Sequence, residues 1–388
     1  FFCLLLSAGQ LKAQEQSAAF SADTSKFLTE LNEQFQKVGD ADAAEAKLIL
    51  STFTYQWTSS LLAPAQKKQT LAICRSLSER KLEVSPYYLL YFKVLTTLVK
   101  QSSLPATYDL LHKSVNYCLQ SKTPSRTLLR YLTQADLLIS SNAFMKSNSE
   151  AWYVRKGTYK FAFDSVPYFS FSSGSLACVV RNDSACIYDT KGNFYPLTQT
   201  WKGKGGNVYW DRTGLGREVV YAKLAGYSID TRSLTYSADS VMFYHGGYFK
   251  KLLQGKLEDK AMVDVNPKNA TFPKFSMYKG SQVYINLFKN IEFFGGFSLQ
   301  GARGLGTPAS DGDARIEVKH NSKPFMSLKS TEFAIMPDKF VSANASALIF
   351  LENDSIFHPA IRVQYNLAND ELMMSRGEEG LGQSPFFN

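Results

Sequence analysis

Hydrophobic residues recur along this chain with two different periods, and the change between them falls near residue 150. Before it the spacing is three and four: Phe27, Leu28, Leu31, Phe35 and Val38 fall on one side of a helix, and Ala44, Leu48, Leu50, Phe53, Tyr55 and Trp57 continue the pattern over 41–59. Pro64, Pro86, Pro105 and Pro124 follow at intervals of 22, 19 and 19 residues, each ahead of a further apolar-periodic run. Proline suits the first turn of a helix because its missing N–H would have no partner there. The pattern predicts about six helices over 20–147, joined by short loops as a helical bundle or degenerate helical repeat. The consensus of tetratricopeptide repeats, at ~34-residue spacing, is absent.

Beyond Lys146-Ser147-Asn148-Ser149-Glu150 the period becomes two, as in Tyr159, Phe161, Phe163 and then Phe169, Phe171. Short β-branched or aromatic runs bounded by Gly, Asp, Asn or Ser predict strands at Asn207–Asp211, Glu218–Leu224, Tyr227–Asp230, Ser233–Tyr236, Ser240–Tyr244 and Tyr248–Leu253. Further runs at Ile291–Phe294 and Phe297–Gln300 flank Gly295-Gly296, which reads as a turn. The fold class expected is therefore α+β: an N-terminal all-α domain, then an all-β domain over 150–388 built as a β-solenoid, jelly roll or sandwich. The ending Gln383-Ser384-Pro385-Phe386-Phe387-Asn388 breaks off in mid-pattern, and the β domain is expected to be truncated there.

The chain opens FFCLLLSAGQLKAQ, an apolar run of signal-core length with Ala13 ahead of a cleavage point. Residues 1–14 are read as the remnant of a signal peptide, which places the protein outside the cytosol, in the periplasm, at the outer membrane or on the extracellular surface. No stretch has the ~20 apolar residues of a spanning helix.

Composition refines this picture in two places. Aromatic residues make up 14% of the chain, with 28 Phe and 21 Tyr, as extensive sheet requires. The net charge of +9 is scattered, without a basic block or an RNA-binding motif, so no nucleic-acid partner is expected; it reads first as a solvated basic surface, with attraction to an acidic glycan or lipopolysaccharide as the alternative.

Candidate chemistry is sparse. His112, His245, His320 and His358 are isolated, and no metal site or cofactor motif is found. His112 and Cys118 lie on different faces of one helix and read as packing residues. Gly203-Lys204-Gly205-Gly206 lacks the spacing of a phosphate loop. Trp201, Tyr209, Trp210 and Tyr221, with Trp152, are candidates for a sugar-stacking platform, set against the commoner use of such rings in packing a core or a sheet face. Glu258, Asp259 and Glu292 are the carboxylates available to a glycosidase, which needs a pair ~5–10 Å apart. Cys178 and Cys186 flank Arg181-Asn182-Asp183; a three-residue loop there would set 178 opposite 186 and permit a cross-strand disulfide. Asp-Ser followed by an apolar residue recurs at Ser165, Ser184, Ser240 and Ser355, read as turns ahead of strands.

Those Asp-Ser steps resemble the O-glycosylation sequon of exported Bacteroidota proteins, with the four serines as acceptors. The segment Gly206–Lys260, with its Gly-x-Val-x-Trp opening and Gly-Lys-Leu-Glu-Asp close, resembles the stacked short-strand β-layers of organic-solvent-tolerance-like envelope proteins. The resemblance implies a β scaffold that handles lipid or glycan in the cell envelope. The function expected is thus a non-enzymatic exported scaffold whose β region binds a glycan, lipid or protein and whose helices dock a partner. A glycan-active enzyme and a secreted adhesin are the alternatives.

Overall fold

The computed structural model describes residues 19–101, 105–263, 266, 270–310 and 312–376. It separates into a helical unit, comprising the chain to Ser140 together with Phe161–Pro167, and a β unit of Ser141–Lys160 and the chain from Tyr168 onward.

The described helices are α1 (Phe27–Phe35), α2 (Asp40–Thr58), α3 (Pro64–Glu79), α4 (Leu89–Lys100), α5 (Pro105–Leu119) and α6 (Pro124–Ser141). Three of the four prolines open helices as expected. Pro86 instead sits in a separate turn, Val84–Tyr88, ahead of α4. Helix α2 packs on α4 and α3 on α5. The core is aromatic, with Phe27 4.6 Å from Trp57 and Phe53 4.6 Å from Phe92 between ring centres. Lys93 of α4 reaches Glu45 of α2 at 2.9 Å and Asp136 of α6 at 3.3 Å, tying three helices at the surface. The inward stripe of α2 is Ala46, Ile49, Phe53, Gln56 and Trp57. Leu48 and Tyr55, expected on that stripe, are 67% and 68% exposed, because their two-turn spacing places them on the other side. His112 and Cys118 are both buried. The His112 ring contacts the Tyr91 hydroxyl and the Tyr108 carbonyl at 2.8 Å each, and burial pushes its pKa down to about 4.

The β unit starts earlier than the change of period suggests, with β1 (Ala143–Lys146). Next come β2 (Glu150–Phe163), β3 (Pro167–Val180), β4 (Asp183–Tyr195), β5 (Thr200–Lys204), β6 (Asn207–Tyr209), β7 (Val220–Lys223), β8 (Gly226–Asp230), β9 (Thr235–His245) and β10 (Leu253–Lys260). The remaining described strands are β11 (Lys274–Met277), β12 (Val283–Phe288), β13 (Ile291–Gln300), β14 (Arg303–Thr307), β15 (Ala314–His320), β16 (Lys323–Ser330), β17 (Phe333–Ile335), β18 (Lys339–Phe350), β19 (Ser355–Asn366) and β20 (Glu371–Arg376). One run of pairings is β1–β2–β3–β4–β5–β8. A second leaves β4 at Tyr188, passes through β6, β7, β9, β10 and β11, and reaches β13. The two runs face each other across a core. Trp152 of β2 packs 6.1 Å from Tyr236 of β9 and donates its indole N–H to the Ser233 carbonyl at 2.8 Å.

Strand β13 is shared. Ile291–Gly295 pairs with β12 and β15, whereas Gly296–Gln300 pairs with β11 and β14. Strand β18 repeats the device, using one half against β17 and the other against β16.

The long strands β3, β9 and β18 bury the same face at both ends because each carries two successive outward residues in its middle. In β9, Tyr236 and Ala238 are buried, Asp239 and Ser240 are exposed, and Val241, Phe243 and His245 are buried again. Ser172-Ser173 does this in β3 and Ala343-Asn344 in β18. The pair shifts a period-two alternation by one, and without it the second half would be inside out. Ser240 accordingly has a φ of 58°, in the left-handed region. Two sequence expectations change here. Asp239-Ser240 is not a turn ahead of a strand but the corner of one, and Gly295-Gly296 is the middle of β13. The other Asp-Ser steps do precede or open strands, at β3, β4 and β19.

Candidate functional site

Alternation along β6, β7 and β9 sorts their side chains into two sets. Val208, Val220, Ala222, Phe243 and His245 are buried, while Tyr209, Tyr221 and Tyr244 lie on the outer face, half-buried. Register aligns the three tyrosines, since Tyr209 stands opposite Tyr221 and Tyr221 opposite Tyr244. The Tyr221 and Tyr244 rings stack 5.2 Å apart at 29°. Tyr188 of β4 extends the row, 5.4 Å from Tyr209. At the ~4.8 Å strand spacing, the four rings cover about 15 Å, the footprint of a short oligosaccharide.

Arg217 closes one end of this ladder. Its guanidinium carbon lies 4.5 Å from the Tyr188 ring centre and 4.7 Å from that of Tyr209, and Nη2 donates to the Tyr188 hydroxyl at 3.2 Å. Asp211 accepts from Arg217 Nε at 3.0 Å and Nη2 at 2.6 Å, which fixes the fork over the rings. Its hydrogen bonds with Asp211 hold the guanidinium pKa above its ordinary value. Lys223 sits 5.5 Å over Tyr221. Ring faces with flanking donors can take the apolar faces of sugar rings while the donors engage hydroxyls.

Only part of the expected platform is here. Tyr209 and Tyr221 belong to the ladder, but Trp201 and Trp210 are core residues, 1% and 0% exposed. Trp201 packs against Phe144 and Phe171 at 5.6 and 5.4 Å, and Trp210 lies 5.3 Å from Phe243. Tyr209 and Trp210 are consecutive and so face opposite sides, which the alternation alone forbids them to share. Tyr188, Tyr244 and Arg217 were not anticipated. The signal for the two tyrosines was the parity of their strands once Tyr209 is set outward.

The cross-strand disulfide that a three-residue loop would permit is not formed. The β3–β4 turn has two residues, Arg181-Asn182, so Val180 pairs with Asp183 and Cys178 stands opposite Ala185, while Cys186 stands opposite Ala177. One residue of register puts the two thiols on opposite faces, and both are free. Ser165, Ser240 and Ser355 are exposed and Ser184 is half-buried.

The carboxylates considered for a glycosidase are dispersed. Glu292 is held by Lys319 Nζ at 2.6 Å, and Glu258 is exposed on the face opposite Asp259. Asp259 is buried beside Arg212, which also donates to Asp183 Oδ2 at 2.9 Å and to the Lys260 carbonyl at 2.7 Å. Burial pushes the Asp259 carboxyl up to about 6, against the opposing pull of Arg212. Among the described residues no cluster of His, Cys, Asp and Glu could hold a metal ion, and no helix is long and apolar enough to cross a membrane. Comparison with family models, curated proteins and solved structures returns no match.

Proposed function

We propose that this protein is a non-catalytic, exported scaffold of the cell envelope that binds glycan on its β unit and uses its helical unit as a docking module. The observation that carries the reading is the outward tyrosine ladder, three rings in register with Tyr188 beside them, and one clamped guanidinium over Tyr188 and Tyr209. Rings devoted to core packing would point inward, as Trp201 and Trp210 do. The opening apolar run supports export. The half-and-half pairing of β13 and β18 supports a stack of folded-over layers, of the kind that organic-solvent-tolerance-like envelope proteins resemble. Exposed Leu48 and Tyr55 on α2 support docking by the helices.

The test is an oligosaccharide array read with the wild-type chain and with Tyr209→Ala/Tyr221→Ala. Wild type should retain a defined set of oligosaccharides, and the double variant should lose them at least tenfold with an unchanged circular dichroism spectrum. Equal retention by both, or no retention by wild type, would overturn the proposal.

A further inference from the structure

Three residues along β4 from Tyr188, the outer face changes from aromatic to basic. Lys191 stands directly opposite Lys204 of β5, both exposed. Like charges at directly opposed positions destabilise a sheet, and nothing in the register obliges these two strands to accept them. Lys156 joins them from the corner of β2, where its φ is 51°. Together with Ser172, Ser173 and Asp189 the three lysines line a basin of about 500 Å³ at the corners of β2, β3 and β4. Among the described residues none of the three lysines forms an ion pair, and Asp189 is the one carboxylate among the lining residues. The basin therefore sets three ammonium groups against one carboxylate, a net positive charge, with the hydroxyls of Ser172, Ser173, Ser175 and Thr190 also in its lining.

We infer that this basin is an anion subsite, and that the glycan bound along the ladder carries a carboxylate, sulfate or phosphate group that seats between Lys191 and Lys204. The inference rests on the ladder reading and adds to it the chemical class of the ligand. Charge complementarity selects the occupant. Ammonium groups on flexible stems take up a single anionic group without the planar geometry an arginine fork demands. Tyr188, three residues away, places the end of the ladder beside the basin. A bound anion between Lys191 and Lys204 then relieves the cross-strand repulsion.

The experiment is a titration of the full chain with heparin octasaccharide, oligogalacturonate and a neutral maltooligosaccharide, beside vesicles of phosphatidylcholine with phosphatidylglycerol. The variants are Lys191→Gln/Lys204→Gln and, as a control for net charge, Lys47→Gln/Lys122→Gln on the helical unit. We expect at least one of the two acidic oligosaccharides to bind tenfold or more tightly than the neutral one, with affinity falling as salt rises. The basin variant should lose that preference while keeping its neutral-sugar affinity, and its Tm should hold or rise. Equal losses in both variants would show long-range charge alone and overturn the subsite. Binding to the anionic vesicles but to neither acidic oligosaccharide would assign the basin to a lipid headgroup and equally overturn it. An unchanged preference in the basin variant, with binding still lost in Tyr209→Ala/Tyr221→Ala, would remove the subsite and leave the ladder standing.

Discussion

Arg212→Met removes the cation from a buried cluster whose other members cannot leave. The Arg212 side chain is 13% exposed, and those of Asp183 and Asp259 are 5% and 2% exposed. The guanidinium donates to both carboxylates and to the Lys260 carbonyl. Methionine fills much of the same volume but leaves two carboxylates out of water and unpaired. Breaking a buried pair on one side costs about 3–5 kcal/mol. An exposed pair such as Arg232–Asp230, 63% and 46% exposed, is screened by water and contributes little, so Arg232→Met serves as the control. Urea unfolding followed by tryptophan fluorescence reports chiefly the right unit, since three of the four tryptophans, Trp152, Trp201 and Trp210, lie in its core and Trp57 in the helical one. The loss should be larger at pH 8 than at pH 5. With its carboxyl already raised to about 6, Asp259 escapes part of the penalty by taking up a proton in the acid range. A loss under about 1 kcal/mol at pH 8, or one equal at both pH values, would refute the reasoning. Adding Asp259→Leu to Arg212→Met should restore a large part of the loss, because one stranded charge is then gone.

Three further outcomes can be checked directly. In wild type the Asp259 carboxyl titrates near 6 when folded and near its ordinary value of 3.8 when unfolded. Between those values the folded state binds the extra proton, so this group's contribution to stability is greatest below about pH 4 and is lost as pH rises through 6. The change is on the order of 3 kcal/mol, and Asp259→Asn should flatten it; an unaltered pH profile would contradict the assignment. Gly203 faces Gly192 across β4 and β5, and an added Cβ would fall 2.2 Å from the Tyr227 ring and 2.5 Å from the Trp201 indole nitrogen. Gly203→Ala should cost ~1–3 kcal/mol, seen as a lowered Tm, while Gly226→Ala, with nothing near its Cβ, should be silent. Intact mass of the chain from its native host, before and after chemical deglycosylation, should show hexose-scale additions mapping to Ser165, Ser240 or Ser355. Ser184 should stay bare, because Asp183 beside it is engaged by Arg212; an unmodified mass would reduce these steps to structural features.

The two periods placed the helices, the strands and the order of the two units, because burial on one face leaves a local imprint. What local pattern could not place was the corner. Asp239-Ser240 and Gly295-Gly296 carry turn-forming residues, so β9 and β13 each read as two short strands, although the chain runs straight through. The same limit governs the site. Tyr209 and Tyr221 were legible as candidates, but only cross-strand register brings Tyr188 and Tyr244 beside them and sets Lys191 against Lys204. Trp201 and Trp210 were misassigned by residue type, since a tryptophan suits a sugar platform or a core equally and parity decides between them. The cysteine pair failed on a single residue of turn length, a quantity that Arg181-Asn182-Asp183 does not determine.

Almost every strand of the β unit pairs with one made shortly before it, the longer reaches, such as β5 to β8, merely stepping over a single short hairpin. A sheet of this kind can be laid down in the order in which the chain emerges, each new strand finding its template already in place. Ring closure between distant segments, the slow step of many all-β proteins, is largely avoided. Such a structure also lengthens without redesign: a hairpin that pairs only with its predecessor disturbs nothing upstream of it.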